Sequence, residues 1–235
     1  MVEIYENYKE LRNEIKDDVK ILVASKGRNS DEVREAINAG ARHIGENYIY
    51  PEATNKHEKL TDLSDSVTWH VIGHLQTNKI NKALPIFDVI QTVESGYRAK
   101  NINKRLKREE MREKRTKNGL SETISVFVEV NISREESKYG IEPEFEKIRS
   151  LLNKIKKMEY LVPDGLMTMG RKTSDMEIKR KEFRKMKELF DRSNKEIDNL
   201  ELSYLSMGMT NTYKTAIEEG ANMVRVGRGI FGERN

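Results

Sequence analysis

The amino-acid sequence predicts an α/β fold: a single (β/α)8 TIM-type barrel spanning residues 1–235, with one extra helix in front. Three observations predict it. Eight short apolar runs alternate with seven longer amphipathic stretches. One helix-to-strand unit is used twice, as Ala36-Ile37-Asn38-Ala39-Gly40-Ala41 and as Ala216-Ile217-Glu218-Glu219-Gly220-Ala221. A lysine and two glycine clusters follow strand-like segments, and the C-terminal ends of strands form the working face of such a barrel. A doubly wound open sheet fits the same alternation, because both architectures bury parallel strands as continuous apolar runs.

In chain order, a helix is expected over 3–16. The first strand, 21–25, lies in the run Val19-Lys20-Ile21-Leu22-Val23-Ala24-Ser25, and the chain turns at Gly27 into a helix over 30–39. Further strands are expected at 43–45, 68–72, 89–93, 125–132, 165–169, 204–207 and 223–226. Helical patterns fill the intervals at 48–60, 76–84, 96–114, 143–157, 175–197 and 212–219. In the repeated unit, Gly40 and Gly220 are expected to stop a helix in the left-handed conformation just before a strand begins.

Composition narrows the chemistry. The 235 residues include no cysteine, which excludes disulfides, thiolate catalysis and thiolate zinc sites. The four histidines, His43, His57, His70 and His74, fall in no metal-binding spacing. No apolar stretch approaches the roughly 18 residues of a membrane span and no signal peptide opens the chain, so the expected location is the cytoplasm. The net charge of +4 is the small difference between 43 basic and 39 acidic residues. Cations crowd the segment 98–117, but no aromatic residue interrupts the run for base stacking. It reads as a solvated helix extension rather than a nucleic-acid surface.

Lys26, directly after the first strand, is the leading candidate for covalent chemistry. A lysine at that position needs a partner or a task, and the usual task is an imine with a carbonyl compound. That chemistry needs the amine deprotonated, with a pKa well below its free value of about 10.4. Near the C-terminus, Leu205 to Asn211 and Val224 to Gly232 form two glycine-containing strand ends after the predicted seventh and eighth strands. Such turns often hold a phosphate in α/β barrels. Ser206 offers a hydroxyl and Gly227 an approach without a Cβ. An imine-forming lysine with a phosphate site describes pyridoxal 5′-phosphate. Arg225, on the last strand, would then face the pyridine nitrogen, where a guanidinium cannot accept a proton and weakens carbanion chemistry.

Several stretches, in order over nearly the whole chain, resemble the pyridoxal phosphate homeostasis protein family, itself similar to the N-terminal barrel of alanine racemase. They are Leu22 to Lys26; Ile44 to Tyr48 with Glu52, Ala53 and Lys56; Trp69 to Lys79; Glu129 to Ile132; Ser137 to Ile141; Gly165 to Thr168; Leu205 to Thr210; and Met223 to Gly232. The resemblance implies Lys26 as the Schiff-base lysine and Arg225 near the pyridine nitrogen. It also implies Ser206 and the backbone at Gly227 and Arg228 on the phosphate. Asn47 is read either as a ligand to the cofactor ring or as a strand-end turn. His70 is read as a general base or an interior hydrogen-bonded histidine, Lys138 as a second aldehyde-capturing amine or a plain exposed cation, and Trp69 as core.

The chain departs from the family pattern at Arg228, where Thr or Ser is common, and at Gly27 and Arg28, which replace Thr and Lys and are expected to loosen their turn. The segment 100–119 is longer and more basic than usual. The leading functional expectation is a carrier that stores or delivers pyridoxal phosphate, with apo pyridoxal-phosphate enzymes as recipients and little turnover of its own. The racemase's second, β-rich domain, which supplies a catalytic tyrosine, has no counterpart before Asn235. The alternatives are a racemase or lyase using the same lysine, a phosphosugar-type barrel with a Schiff-base lysine, and a nucleic-acid adaptor acting through 98–117.

Overall fold

The computed structural model describes residues 3–233. Eight strands close into a parallel barrel in sequence order: β1 Lys20–Ala24, β2 His43–Glu46, β3 Thr68–Val71, β4 Val89–Val93, β5 Ile124–Glu129, β6 Leu161–Met167, β7 Tyr204–Met209 and β8 Met223–Val226. The barrel closes by β1 pairing with β8, Leu22 opposite Arg225 and Val23 opposite Val226. Closure decides between the two architectures of the sequence reading, because a doubly wound sheet keeps two free edges.

Strand periodicity divides the apolar residues into two shells. Ile21, Val23, Ile44, Trp69, Val71, Ile90, Val224 and Val226 face outward and join the helices in the main core. Leu22, Ile72, Val89, Phe127, Met167 and Met223 face inward and form a separate cluster inside the barrel. Trp69 is therefore core, as expected. Among the described residues no helix is long and apolar enough to cross a membrane.

The leading helix is α1 (Ile4–Glu14), and α2 (Ser30–Asn38) follows β1. Asn29 caps α2: its side chain accepts from the Asp31 and Glu32 N–H groups, while Glu32 accepts from the Asn29 N–H. This capping box explains why the helix starts right after the Lys26 turn. The glycine stops behave as expected. Gly40 and Gly220 have φ of +110° and +92°. In both copies the residue after the glycine returns its N–H to the alanine five residues back, Ala41 to Ala36 and Ala221 to Ala216.

Three expected helices are broken. Residues 48–60 give only α3 (Thr54–Lys59), because Tyr50 is extended in front of Pro51, as the proline ring requires of its predecessor. Residues 76–84 hold a 3₁₀ turn and the short α4 (Ile80–Ala83). The basic segment forms α5 (Gly96–Leu106) and α6 (Glu109–Lys117), separated at the extended Arg108. Its cations do not form one solvated face. Arg98 is buried, and Arg115 donates to the carbonyls of Leu84, Phe87, Ser121 and Thr123. The remaining helices are α7 (Phe145–Lys156), α8 (Met176–Glu196), α9 (Tyr213–Glu218) and α10 (Arg228–Phe231).

Candidate cofactor site at the C-terminal mouth of the barrel

Lys26 continues the inward-facing series Leu22, Ala24 past the end of β1. It is half-buried, its Nζ lies 4.9 Å from the centre of the Tyr48 ring, and it has no ion pair among the described residues. A second lysine stands close by with the opposite character. Lys56 is buried and its Nζ lies 2.6 Å from Glu46 Oε1, 2.8 Å from the Ser25 carbonyl and 3.3 Å from Glu52 Oε1. Ser25 donates to the same Glu46 oxygen at 2.6 Å, and the Gly27 N–H donates to Glu52. Burial pushes the Glu46 carboxyl up, against the pull of Lys56 and Ser25.

The cluster has a clear consequence. Both residues flanking Lys26 are held by the cluster, Ser25 by the buried Lys56–Glu46 pair and Gly27 by Glu52, and the ion-paired lysine is the one unsuited to nucleophilic work. The sequence reading matched Glu46, Glu52 and Lys56 as family residues without assigning them a task.

The turn after Lys26 is firm, against expectation. Gly27 adopts φ +71°, open to glycine at little cost. Arg28 donates to the Gly232 carbonyl at 2.7 Å, pairs with Glu32 at 3.1 Å and lies over the Phe231 ring. The start of α2 and the last helical turn are thereby tied together.

Arg225 lies across the β1–β8 seam from Leu22, fully inside the barrel mouth. Its Nη1 donates to Ser206 Oγ at 2.8 Å, and its Nη2 donates to the Thr168 carbonyl at 2.7 Å and to the Met169 sulfur at 3.5 Å. Of the five N–H groups of a guanidinium, two remain. Burial pushes Arg225 down to about 10, which still leaves it charged at neutral pH. Glu129 faces the same space. Burial, and after it Glu94, raise its carboxyl to about 7 against the attraction of Arg225, and its Oε2 has no hydrogen-bond partner.

Ser206 sits differently from the sequence reading. The hydroxyl assigned there to a phosphate oxygen points into the barrel and donates to Gln91 Oε1 at 2.8 Å while accepting from Arg225. Its proton is already committed, so its direct partner in the site is the arginine.

The phosphate donors that remain are backbone groups at the end of β8. Neither the Gly227 nor the Arg228 N–H meets an acceptor among the described residues. A Cβ on Gly227 would lie 2.9 Å from the Ala24 carbonyl, so glycine lets the end of β8 lie against the end of β1. The Arg228 side chain is exposed and reaches Glu233 at 3.5 Å, leaving only its backbone toward the site.

Asn47 is half-exposed at the end of β2 and lines a cavity of about 270 Å3 with Glu129, His74, Lys138, Tyr139 and Thr168. Tyr139 stacks on His74 with ring centres 3.8 Å apart. Lys138 Nζ is held by Glu135 and the Gly170 carbonyl. His70 is interior, between His43 and Gln91 at 3.0 Å each, and burial keeps it neutral. Gln91 escaped the sequence reading, while Glu129 and Thr168 were matched there as family residues without a task. The signal for Gln91 and Glu129 was a polar residue at an inward-facing position of an otherwise apolar strand.

The donor set suits a small anionic pyridine aldehyde. It offers an amine without an ion-pair partner, a fixed guanidinium with spare N–H groups, and acceptor-free backbone N–H groups beside a glycine that admits close approach.

The family model for the alanine racemase N-terminal domain matches residues 2–235. A pyridoxal phosphate homeostasis protein from Haemophilus influenzae is 34% identical over 223 residues, covering 95% of this chain and 88% of the relative. The structure of PipY from Synechococcus elongatus with pyridoxal phosphate bound superposes with a TM-score of 0.82 at 28% identity, covering 97% of this chain and 100% of that one. An alanine racemase from Clostridium difficile gives a TM-score of 0.76 at 16% identity, covering 99% of this chain but 57% of the racemase, a likeness of fold alone.

Proposed function

Since this chain belongs to the alanine racemase N-terminal domain family and, within it, to the pyridoxal phosphate homeostasis proteins, we propose that it is a cytoplasmic pyridoxal 5′-phosphate-binding protein that stores the cofactor and delivers it to apo enzymes. The observation that carries the reading is the placement, on either side of the β1–β8 seam, of Lys26, which has no ion pair among the described residues, with Arg225 and the N–H groups of Gly227 and Arg228, which meet no acceptor among them. The PipY structure, with its bound cofactor, supports it at 28% identity.

In this reading the bound cofactor supplies an aldehyde that exchanges between primary amines. Lys26 Nζ anchors that aldehyde, and Tyr48 covers the amine from the solvent side. The Lys56–Glu46–Glu52 cluster holds the backbone on both sides of Lys26, so the amine is presented from a fixed strand end. Arg225 donates to the pyridine nitrogen from its spare N–H groups. Having no basic atom, it cannot take up or share a proton there, which favours holding the cofactor over strong carbanion chemistry. Gly227 and Arg228 give backbone N–H groups to the phosphate, and Asn47 borders the ring.

Borohydride reduction of the loaded protein followed by peptide mass spectrometry tests the assignment. The expected label is on Lys26, and Lys26→Ala is expected to abolish both the label and the visible absorption. A label on Lys56 or Lys138 in place of Lys26 would overturn it. Amino acids incubated with the loaded protein in deuterated solvent test the rival racemase or lyase reading, which requires deuterium at Cα at catalytic rates.

A further inference from the structure

Below the cofactor site, polar side chains form an unbroken file through the barrel. From Arg225 Nη1 it runs to Ser206 Oγ at 2.8 Å, to Gln91 Oε1 at 2.8 Å, from Gln91 Nε2 to His70 Nδ1 at 3.0 Å, and from His70 Nε2 to His43 Nδ1 at 3.0 Å. His43 ends the file at the opposite mouth, where it lines a cavity of about 290 Å3 with Thr68, Asp88, Asp164 and Tyr204. Apolar residues of the inner cluster, Leu22, Val89, Phe127 and Met223, surround the file.

One direction of donation gives every member of the file a partner, and Arg225 sets its start. A guanidinium can only donate, so Ser206 accepts from it and spends its own proton on Gln91. Gln91 therefore shows its oxygen to Ser206 and its amide nitrogen to His70, with a second amide hydrogen on the Met223 sulfur at 3.2 Å. His70 must then be unprotonated at Nδ1 and protonated at Nε2, and it donates to His43 Nδ1. Burial keeps both imidazoles neutral, with His43 pushed down to about 4, so no extra proton interrupts the sequence. Turning over a single member would set donor against donor or acceptor against acceptor, at a cost of roughly 1–3 kcal/mol by the general penalty for an unsatisfied buried polar group.

We propose that Gln91 and His70 are positioning residues for the cofactor site: through Ser206 they fix the orientation of Arg225 by a one-directional hydrogen-bond relay that spans the barrel from the Lys26 mouth to His43. The role of the arginine toward a pyridine nitrogen rests on the function proposed above; the relay itself does not. Arg225 is clamped by the relay on one side and by the Thr168 carbonyl on another, which fixes the plane of the guanidinium and the directions of its remaining N–H groups.

Two measurements separate the parts. The first uses the apo protein and 15N-histidine NMR, and needs neither a variant nor a ligand. The expected result is His70 as the Nε2–H tautomer with a hydrogen-bonded, unprotonated Nδ1. An Nδ1–H or cationic His70 would overturn the relay. The second titrates pyridoxal phosphate into Gln91→Met, which removes both polar atoms at similar volume, and into Gln91→His, whose imidazole can accept from Ser206 and donate to His70. Gln91→Met is expected to lose roughly three- to tenfold in affinity, the span of one hydrogen bond, and to shift the absorption of the bound cofactor, with Gln91→His restoring both. An unchanged affinity and spectrum in Gln91→Met would overturn the positioning role. A wild-type protein that takes up no pyridoxal phosphate would sink the function and the positioning role together, while the tautomer in the apo protein still decides the relay.

Discussion

Replacing Lys56 by methionine tests how the Lys26 strand end is held. Lys56 Nζ and Glu46 Oε1 stand 2.6 Å apart in a region closed to solvent, with the Lys56 and Glu46 side chains 5% and 0% exposed. Methionine keeps the length and removes the charge, leaving Glu46 buried with only the Ser25 hydroxyl as partner. Breaking a buried pair from one side costs about 3–5 kcal/mol, because the abandoned charge stays desolvated. For a chain of this size each kcal/mol lowers Tm by about 2–4 °C, so the expected fall at pH 8 is roughly 6–20 °C.

The pH dependence provides the sharper check. Burial already raises the Glu46 carboxyl, and loss of Lys56 raises it further. The folded variant then binds a proton at pH values where the unfolded chain, with a glutamate pKa of about 4.3, has released it. The folded state holds more protons, so stability rises as pH falls, by up to about 1.4 kcal/mol per pH unit between the raised folded pKa and the unfolded one. The gap between wild type and variant should therefore narrow from pH 8 to pH 5 in urea or thermal unfolding. Glu46→Gln in the Lys56→Met background should recover most of the loss at pH 8. A loss below about 1 kcal/mol, or a gap that widens on acidification, would refute the reasoning.

Other outcomes follow from the same geometry. Glu129 has its carboxyl raised to about 7, so the folded state gains a proton relative to the unfolded chain between about pH 4.5 and 7. Its contribution to stability is present at low pH and lost as pH rises through 7. Glu129→Gln should therefore stabilise the protein at pH 8 by up to about 3 kcal/mol and change little at pH 4.5, measured by denaturant unfolding; an equal effect at both values would refute the assignment. Gly227→Ala pushes a Cβ to 2.9 Å from the Ala24 carbonyl. The overpacking cost of about 1–3 kcal/mol should appear chiefly as weaker pyridoxal phosphate binding in a spectrophotometric titration. Lys26→Ala, at a half-buried position without an ion pair, should leave thermal stability within about 0.5 kcal/mol of wild type, so that its loss of cofactor colour cannot be assigned to unfolding.

The architecture was legible in the sequence because its determinants are local. Apolar runs of strand length alternate with amphipathic stretches, Asn29 and Glu32 cap a helix three residues apart, and Gly40 and Gly220 end helices within one turn. Lys26 stood out for the same reason, as a charge at the end of an apolar run. Residues 48–60 were misread because their amphipathic pattern is helical while Pro51 forbids Tyr50 that conformation. Position along a strand says only which face a side chain takes; it does not say which inward-facing residues meet. That depends on the register of the closed barrel, which brings Ser206 against Gln91 from 115 residues away and Arg225 between Ser206 and Thr168. Closure likewise put the Ser206 hydroxyl on the relay rather than on an open turn. The third dimension alone separated the two lysines, one sealed in an ion pair with Glu46 and the other free at the mouth, since burial and partners rather than residue type decide which amine can react.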